Sequence, residues 1–248
     1  MYNHSNHEIS SSAENGPPTE NHEEVTGQSV RESDEETELP TRVLDVGSPN
    51  LYLHCHEGEE NRPKGKYITL SHCWGADPNQ RPLRTTDNNI DAHRQGKGLE
   101  FDRLPKTFQD AITVARKLDV QYLWIDSLCI IQGNSEDWEK ESRKMEGIFS
   151  SAYCTIAATS AKNSDEGFLP FPKKKAVRIG EIFRSSVYAC IAEKSFKQAV
   201  DESGLLNTRG WVLQERALSR RTIHFTGSQI FWECGSMIFY DNLFQVAR

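Results

Sequence analysis

Two glutamates are the residues best placed to act as acids, bases or charge-stabilising groups. Glu141 falls inside an apolar stripe of a predicted helix, whereas its charged neighbours lie outside that stripe. The stripe consists of Trp138, Met145, Ile148, Phe149 and Ala152. A carboxylate that faces a core is costly unless it is paired or used, and a position near the helix N-terminus favours its ionised form. Two interpretations follow: a catalytic carboxylate aimed into a crevice, or a buried ion pair with an arginine.

Glu215 is the second candidate carboxylate. Helical spacing over residues 210–216 puts Trp211, Gln214 and Glu215 on one face. Trp211 and Gln214 are therefore candidate substrate-binding residues beside it. The alternative is that Glu215 forms an ion pair with one of the arginines that follow it, namely Arg216, Arg220 and Arg221.

Further candidate binding residues lie at or after predicted strands. Ser71, Trp74 and Gly75 follow a strand candidate at residues 67–71, where an open α/β sheet places its ligands. Gly75 lets a backbone approach closely, and Trp74 could stack on a flat ring or, alternatively, anchor the core. Asp126 is a polar residue within the apolar run 122–131 and must find a partner. That partner is a backbone group or an arginine if Asp126 serves no site.

The spacing of histidines, cysteines and glycines supports neither a metal site, nor a cysteine nucleophile, nor a phosphate-binding loop. The potential metal ligands nearest to one another are His54, Cys55, His56, His72 and Cys73. Alternate residues of a strand face opposite ways, and no Cys-x-x-Cys pair occurs, so we expect no metal site. No partner spacing supports Cys73 or Cys129 as a nucleophile. The glycine patterns that bind dinucleotides or phosphates are also absent from the sequence.

The elements that would position these residues alternate between strand and helix. Strand candidates occupy residues 67–71, 122–131 and 154–159. The first two are separated by a helix that Thr107 caps together with Asp110, and the last two by a helix from residue 137 or 138 to about residue 152. This order implies a parallel sheet with right-handed crossovers.

Additional elements are predicted on either side of this core. Residues 43–46 and 51–53 could pair as edge strands, and residues 187–192 could form a strand. Residues 211–218 are predicted to be helical, and residues 222–225 and 229–233 to form a hairpin.

Charge divides the chain into two parts. Residues 1–38 hold ten acidic residues and one basic residue, a net charge of −9, whereas the whole chain carries −7. We therefore expect a disordered acidic tail at residues 1–38 and a nearly neutral folded domain at residues 39–248. A neutral domain argues against a nucleic-acid interface. The sequence contains neither an apolar run of membrane-spanning length nor a signal peptide, which favours a cytoplasmic protein.

Three sequence blocks resemble the heterokaryon-incompatibility (HET) domain of filamentous fungi. They are residues 67–75 (YITLSHCWG), 123–132 (LWIDSLCIIQ) and 209–216 (RGWVLQER), in the order and spacing of that family. Trp138, Glu141, Met145 and Ala152 are similar to the family's middle helix. The resemblance implies an effector of fungal allorecognition, which promotes regulated cell death when unlike hyphae fuse. Its expected partners are other incompatibility or signalling proteins, or further copies of itself.

The HET domain also resembles, distantly, TIR domains, some of which cleave NAD at the nicotinamide–ribose bond. This resemblance implies an α/β fold with a TIR-like, flavodoxin-like parallel sheet, flanking helices and a C-terminal β-rich extension. It implies that NAD is a substrate rather than a cofactor, and that Glu141 engages the ribose and stabilises an oxocarbenium-like transition state. TIR acids follow a tryptophan by four residues in some members, whereas Glu141 follows Trp138 by three and Ser142 stands at the fourth position. A non-enzymatic adaptor that assembles with partners is the alternative.

Overall fold

A computed structural model describes most of the 248-residue chain. The described residues are 36–59, 61–75, 83–95, 98–169, 176–182, 185–190, 194–208, 210–235 and 237–240. All of them belong to one compact unit, Asp34–Arg248. Residues 1–35 of the predicted acidic tail therefore lie outside the described residues, whereas its last two residues, Thr37 and Glu38, form a short strand.

Twelve strands are present within the described ranges. In chain order they are β1 (Thr37–Glu38), β2 (Arg42–Asp45), β3 (Tyr52–Cys55), β4 (Lys64–Gly65), β5 (Tyr67–Ser71), β6 (Tyr122–Ile125), β7 (Cys154–Ala157), β8 (Ala176–Ile182), β9 (Ser185–Cys190), β10 (Arg221–Phe225), β11 (Ile230–Cys234) and β12 (Met237–Tyr240). The same ranges contain six α-helices: α1 (Ile90–Arg94), α2 (Lys106–Lys117), α3 (Asp126–Cys129), α4 (Ser135–Ser142), α5 (Met145–Ser151) and α6 (Gly210–Leu218). A π-helical segment, Lys197–Glu202, and a 3-10 turn, Leu205–Thr208, precede α6.

The main sheet is mixed rather than purely parallel. Its eight strands run in the order β12-β11-β10-β7-β5-β6-β2-β3. The central pairs β6–β5, β5–β7 and β7–β10 are parallel, while the strands outside them are antiparallel. The expected C-terminal β-rich segment thus continues the same sheet through β10–β12. The expectation of a parallel sheet holds for its four central strands only, because the hairpins β2–β3 and β10–β11 extend it at both sides.

The order of the four parallel strands fixes where a ligand can bind. In the chain these strands follow one another as β5, β6, β7 and β10, whereas along the sheet they lie in the order β6-β5-β7-β10. The connection that follows β5 therefore runs in one direction, to β6, and the connection that follows β7 runs in the opposite direction, to β10, so that the switch point lies between β5 and β7. In open α/β sheets a crevice forms at such a switch point, outside the carboxyl ends of the strands. The ends of β5, β6, β7 and β10 meet at this edge.

Apolar side chains cover both faces of the sheet. Successive strand residues point to opposite faces, and the two sets enter separate clusters. Ile68 and Leu123 join a core cluster with Phe108 and Ile112 of α2. Tyr67 and Trp124 join a second cluster with Phe149 of α5. The protein is therefore a mixed α/β fold with helices on both sides of the sheet.

The predicted strand at residues 122–131 is shorter than expected. β6 ends at Ile125, and the next four residues form the short helix α3. Leu128 and Cys129 are buried in that helical turn. A run of buried apolar residues has the same appearance in a strand and in a buried helical turn, so hydrophobicity alone could not place the boundary.

The predicted helix from residue 137 to residue 152 is divided into α4 and α5 at Arg143 and Lys144. Trp138, expected in the core, is 52% exposed. The residues that α4 buries are Asp137 and Glu141. They lie four residues apart, and they are buried because they pair with cations, as described below. Ion pairing rather than an apolar stripe sets the orientation of this helix.

The predicted cap of α2 is also different. Pro105 precedes the helix, and neither Thr107 nor Asp110 caps it. Asp110 instead accepts hydrogen bonds from the backbone amides of Phe168 and Leu169 at 2.7 and 2.8 Å. Its carboxylate holds the loop that follows β7 against α2. Across the described ranges, no helix combines the length and the apolar character that a membrane span requires.

Candidate functional site

A cleft of about 160 Å³ lies at the carboxyl ends of β5 and β6. Two carboxylates and three tryptophans line it, namely Asp126, Glu215, Trp74, Trp138 and Trp211. Ile130, Gln132, Ser142 and Met145 complete the described lining. The helices α4, α5 and α6 contribute one side of the cleft and the ends of the strands the other. Five residues from four separate segments of the chain, suited to binding a flat, polar ligand, thus share one small cleft.

Asp126 orients Trp74. The indole N–H of Trp74 donates to both carboxylate oxygens of Asp126, at 3.0 and 3.2 Å. Asp126 also accepts a hydrogen bond from the backbone amide of Ser127 at 2.7 Å. Because Asp126 is the first residue of α3, it faces the cleft instead of lying inside a strand. Its side chain remains 20% exposed.

Glu215 is the most buried acid of the cleft. It is 7% exposed, and its carboxylate accepts a short hydrogen bond from the hydroxyl of Ser71, the last residue of β5. Of the three arginines considered as partners of Glu215, Arg216 contacts Glu233 at 2.8 Å and Asp201 at 2.7 Å. The last strand residue of β5 therefore fixes a carboxylate of α6 beside the switch point.

A family model described as "Heterokaryon incompatibility protein (HET)" matches residues 67–215. This chain belongs to the HET family. The match begins at the first residue of β5 and ends at Glu215, so every described residue of the cleft falls within it. Family membership indicates a role in heterokaryon incompatibility and a fungal context. Comparison with curated proteins and with solved structures gave no match.

Glu141 of the HET domain does not line the cleft. It is 1% exposed and accepts a hydrogen bond from Lys144 at 2.7 Å, while Lys144 also donates to the hydroxyl of Thr41 at 2.7 Å. The hydrogen-bonded partner of Glu141 is thus Lys144, and the charge of Glu141 also contributes to raising the pKa of the buried Arg42. The surroundings of Glu141 are those of a structural ion pair.

A buried arginine holds the segment that carries Trp138 and Ser142. Arg42 donates from Nη2 to both oxygens of Asp137, at 2.5 and 2.6 Å, and from Nε to the carbonyl of Cys129 at 2.6 Å. Burial alone would lower the pKa of Arg42, but the hydrogen bond and the charge of Asp137 raise it above its ordinary value. Asp137 also accepts from the amide of Ile131 at 2.7 Å. Arg42 therefore joins β2 to the loop and helix behind the cleft.

The remaining candidate residues occupy different positions. Trp211 lines the cleft while more than half exposed, whereas Gln214 is exposed and outside the described lining. Gly75 is exposed and has φ +98°, in the left-handed region that favours glycine. This conformation turns the chain away from β5 directly after Trp74, so Gly75 shapes the loop at the cleft.

Five lining residues were missed as site residues by the sequence analysis: Ile130, Gln132, Trp138, Ser142 and Met145. Gln132 donates to the carbonyls of Asp126 and Ile130, at 3.3 and 3.0 Å, and so fixes the loop after α3. Trp138 and Ser142 lie four residues apart, which places them on one face of α4. That spacing was a readable signal, but the helical stripe assigned Trp138 to the core.

In the described part of the chain, no group of three or more histidine, cysteine or acidic side chains is arranged to hold a metal ion. Burial raises the pKa of the Cys129 thiol to about 12, so it stays protonated at neutral pH. The polar and aromatic groups in the described lining of the cleft are two carboxylates, the hydroxyl of Ser142, the side-chain amide of Gln132 and three tryptophan rings.

Proposed function

We propose that this HET domain promotes regulated cell death in incompatible fungal cells by cleaving the nicotinamide–ribose bond of NAD. The observation that carries the proposal is that two carboxylates, the buried Glu215 and Asp126, line one small cleft together with three tryptophans. The order of the parallel strands supports a TIR-like, flavodoxin-like arrangement with its site at this edge. The domain acts in the cytoplasm, where NAD is available to it.

The cleft suits the chemistry of the substrate. The nicotinamide ring of NAD is a flat cation, which the faces of tryptophan rings and nearby carboxylates attract. When the bond between ribose C1′ and the ring nitrogen breaks, the electron pair leaves with the ring, which becomes neutral. Positive charge develops on the ribose, and Glu215 stabilises it. Water adds to C1′ and releases a proton to solvent, so the products are nicotinamide and ADP-ribose.

Glu215 replaces Glu141 in our assignment because of their positions. The TIR resemblance placed the acid on the middle helix near Trp138. Here Ser142, four residues after Trp138, lines the cleft, while Glu141 pairs with Lys144 outside it. Glu215 reaches the same cleft from α6. The middle helix thus supplies an aromatic ring and a hydroxyl, and α6 supplies the carboxylate.

The test combines NAD cleavage with killing. Nicotinamide release by the purified full chain would be measured over a range of protein concentrations, because TIR-like enzymes often need assembly. Glu215→Gln should abolish release and also abolish cell death on expression in a fungal host. Glu146→Gln, an exposed change on α5, is the matched control and should alter neither. Killing by Glu215→Gln at the wild-type level would refute the proposal.

A non-enzymatic adaptor is the second candidate, and one observation favours it. Trp138, Trp211 and Leu213 are all more than half exposed, with Leu213 at 75%. Exposed apolar side chains of this size are typical of surfaces that bind another protein. Partners of this surface would be other incompatibility or signalling proteins, or another copy of the chain. Leu213 lies outside the described lining of the cleft, so Leu213→Ser separates the two functions. The adaptor requires that this variant loses killing while wild-type protein leaves NAD intact.

A further inference from the structure

The charged residues in the described lining of the cleft are both acids. Asp126 and Glu215 contribute two carboxylates, and none of the described lining residues is a lysine, an arginine or a histidine. Hydrogen bonds fix both acids at the cleft, from the amide of Ser127 to Asp126 and from the hydroxyl of Ser71 to Glu215. A cleft lined by charges of one sign concentrates ligands of the opposite sign. This lining therefore favours a positively charged ligand.

The neutral polar side chains of the cleft also direct their hydrogen-bond donors to the protein. The indole N–H of Trp74 donates to Asp126, and the side-chain N–H group of Gln132 donates to two backbone carbonyls, at 3.0 and 3.3 Å. The hydroxyl of Ser142 donates to the carbonyl of Glu139 at 3.2 Å. The amide oxygen of Gln132 and the hydroxyl oxygen of Ser142 are acceptors. These groups suit a ligand with positive charge better than one that must receive hydrogen bonds.

Three tryptophan rings provide the surface that a cation contacts. Trp74 directs its N–H edge, the positive part of the ring, to a carboxylate. Trp138 and Trp211 are 52% and 56% exposed, so a ligand can reach their rings from solvent. The face of an aromatic ring attracts a cation, and tryptophan does so most strongly. Aromatic rings arranged around a small site are a known means of binding quaternary ammonium groups.

The size and the apolar part of the lining favour a quaternary nitrogen over a simple ammonium. The cleft measures about 160 Å³, whereas roughly 300–1,000 Å³ enclose a drug-sized ligand, so it holds a single head group. A primary ammonium is strongly hydrated, and a site lined by indole rings, Ile130 and Met145 does not replace that hydration. A quaternary nitrogen has no N–H group and carries its charge beneath an apolar surface. Such a cation matches both the rings and the acids.

We propose that the cleft recognises its ligand by the positive charge of a quaternary nitrogen. The inference rests on the proposed function for the natural ligand, because the pyridinium nitrogen of NAD is such a group. The cleft then selects the oxidised dinucleotide over the reduced form, whose dihydronicotinamide ring is neutral. The same selection assists turnover, since cleavage converts the bound cation into neutral nicotinamide, which the cleft holds less tightly.

The first test compares two ligands of the same shape that differ in charge. Choline has a quaternary nitrogen where 3,3-dimethyl-1-butanol has a carbon. Binding of each to the full chain would be measured by NMR titration of the indole N–H signals. Choline should bind about tenfold more tightly, since cation–π and carboxylate contacts together contribute about one order of magnitude. Equal affinity for the two ligands overturns the inference.

Substitution of the rings tests whether the preference arises in the cleft. Trp211→Leu keeps an apolar side chain and removes the ring, and because Trp211 is more than half exposed, the Tm should change little. The affinity for choline should fall several-fold while that for the neutral alcohol stays nearly constant. Trp138→Leu repeats the measurement on another helix. Leu213→Ser, which changes an exposed residue of α6 outside the described lining, is the control and should alter neither affinity. An undiminished preference for choline in both tryptophan variants contradicts the inference.

A third measurement separates this inference from the proposed function. Choline should raise the KM for NAD without changing kcat, and 1-methylnicotinamide, a cation, should bind more tightly than neutral nicotinamide. If choline binds more tightly than its neutral analogue but NAD is not cleaved, the cation site stands and the proposed function fails. If NAD is cleaved in a Glu215-dependent manner while neither cation binds more tightly than its neutral analogue, the proposed function stands and the cation site is rejected. Inhibition by choline that does not compete with NAD would also reject it.

Discussion

The hydroxyl of Ser71 donates a hydrogen bond to the carboxylate of Glu215, which lies 144 residues further along the chain. One residue ends the strand at the switch point of the sheet, and the other lies in a helix that packs over that end. The contact therefore fixes the position of an acid relative to the sheet. It links folding of the C-terminal part of the domain directly to the geometry of the cleft.

Ser71→Ala should reduce NAD cleavage more than stability. The change removes one hydrogen bond to a charged group, which contributes about 1.5–3 kcal/mol, and it frees the carboxylate to leave its position. We expect a lower kcat with a nearly unchanged KM, measured by nicotinamide release beside a thermal melt. Ser150→Ala, whose hydroxyl bonds a carbonyl on the surface at 3.3 Å, is the control. An unaltered kcat in Ser71→Ala would mean that this contact does not position the acid.

Glu141→Gln should destabilise the domain by about 3 kcal/mol, because it leaves Lys144 without its buried partner. The exposed pair of Glu139 with Arg143 offers a matched comparison, and Glu139→Gln should cost under about 1 kcal/mol. Urea denaturation of both variants measures the difference. A stable Glu141→Gln protein that no longer kills would return the catalytic assignment to Glu141.

Asp137→Asn should be among the most destabilising single changes in the domain. It removes the carboxylate that neutralises the fully buried guanidinium of Arg42, at an expected cost of about 3–5 kcal/mol. Glu57 contacts the same guanidinium at 3.8 Å but is 46% exposed. Glu57→Gln should therefore change the free energy of unfolding by less than about 1 kcal/mol. Equal losses of unfolding free energy in the two variants would show that the buried pair stabilises the domain no more than the exposed contact does.

Acidification should destabilise the domain through Glu233 and His224, which are hydrogen-bonded at 2.8 Å. Burial alone would raise the pKa of Glu233, but hydrogen bonds from His224 and Arg216 lower it to about 2. The contribution of Glu233 to the free energy of unfolding is thus complete above the ordinary glutamate pKa of 4.5 and is lost as the pH falls toward 2. Burial lowers the pKa of His224, so protonation of the unfolded chain adds to the loss below about pH 6.5.

The measurement for this prediction is the free energy of unfolding between pH 7 and pH 3. Below pH 4.5, the loss of unfolding free energy should be smaller in Glu233→Gln than in the wild-type chain. The expected difference is about 1–2 kcal/mol, after allowance for solvent screening of a partly exposed group. A pH profile that is identical to that of the wild-type chain would exclude Glu233 as its source.

Sequence patterns correctly predicted the strands and helices whose conformation is determined by their own residues. β5 has the predicted bounds, and the β10–β11 hairpin and α6 are confirmed within a residue or two. Strand formers, turn residues and helical spacing determine these segments from within. Four residues singled out from the sequence also share one cleft in the structure: Trp74, predicted after a strand, Asp126, predicted within a strand, and Trp211 and Glu215, predicted on one helical face.

The failures have causes that are distant in sequence. Helix α4 buries Asp137 because Arg42, 95 residues earlier, supplies its countercharge. No local pattern contains that information, so the apolar stripe assigned Trp138 to the core and left Glu141 open between a crevice and a buried ion pair. Similarly, Asp110 was interpreted as part of a helix cap, whereas its partners are amides near residue 168. A buried charged group lies where its partner lies. In these two cases the partner is distant in sequence and is identified only in the folded structure.

The ion pair of Arg42 and Asp137 also defines the smallest portion of the gene that can be moved between proteins. The family match begins at residue 67, yet a transplanted segment that began there would carry Asp137 without Arg42 and would expose the side of β6 that pairs with β2. At the other end, a cut after residue 215 would remove β10 from the open side of β7. Chimeras between allelic variants should therefore tolerate crossover points before β2 and after β12, and should lose solubility when the crossover falls at the limits of the match.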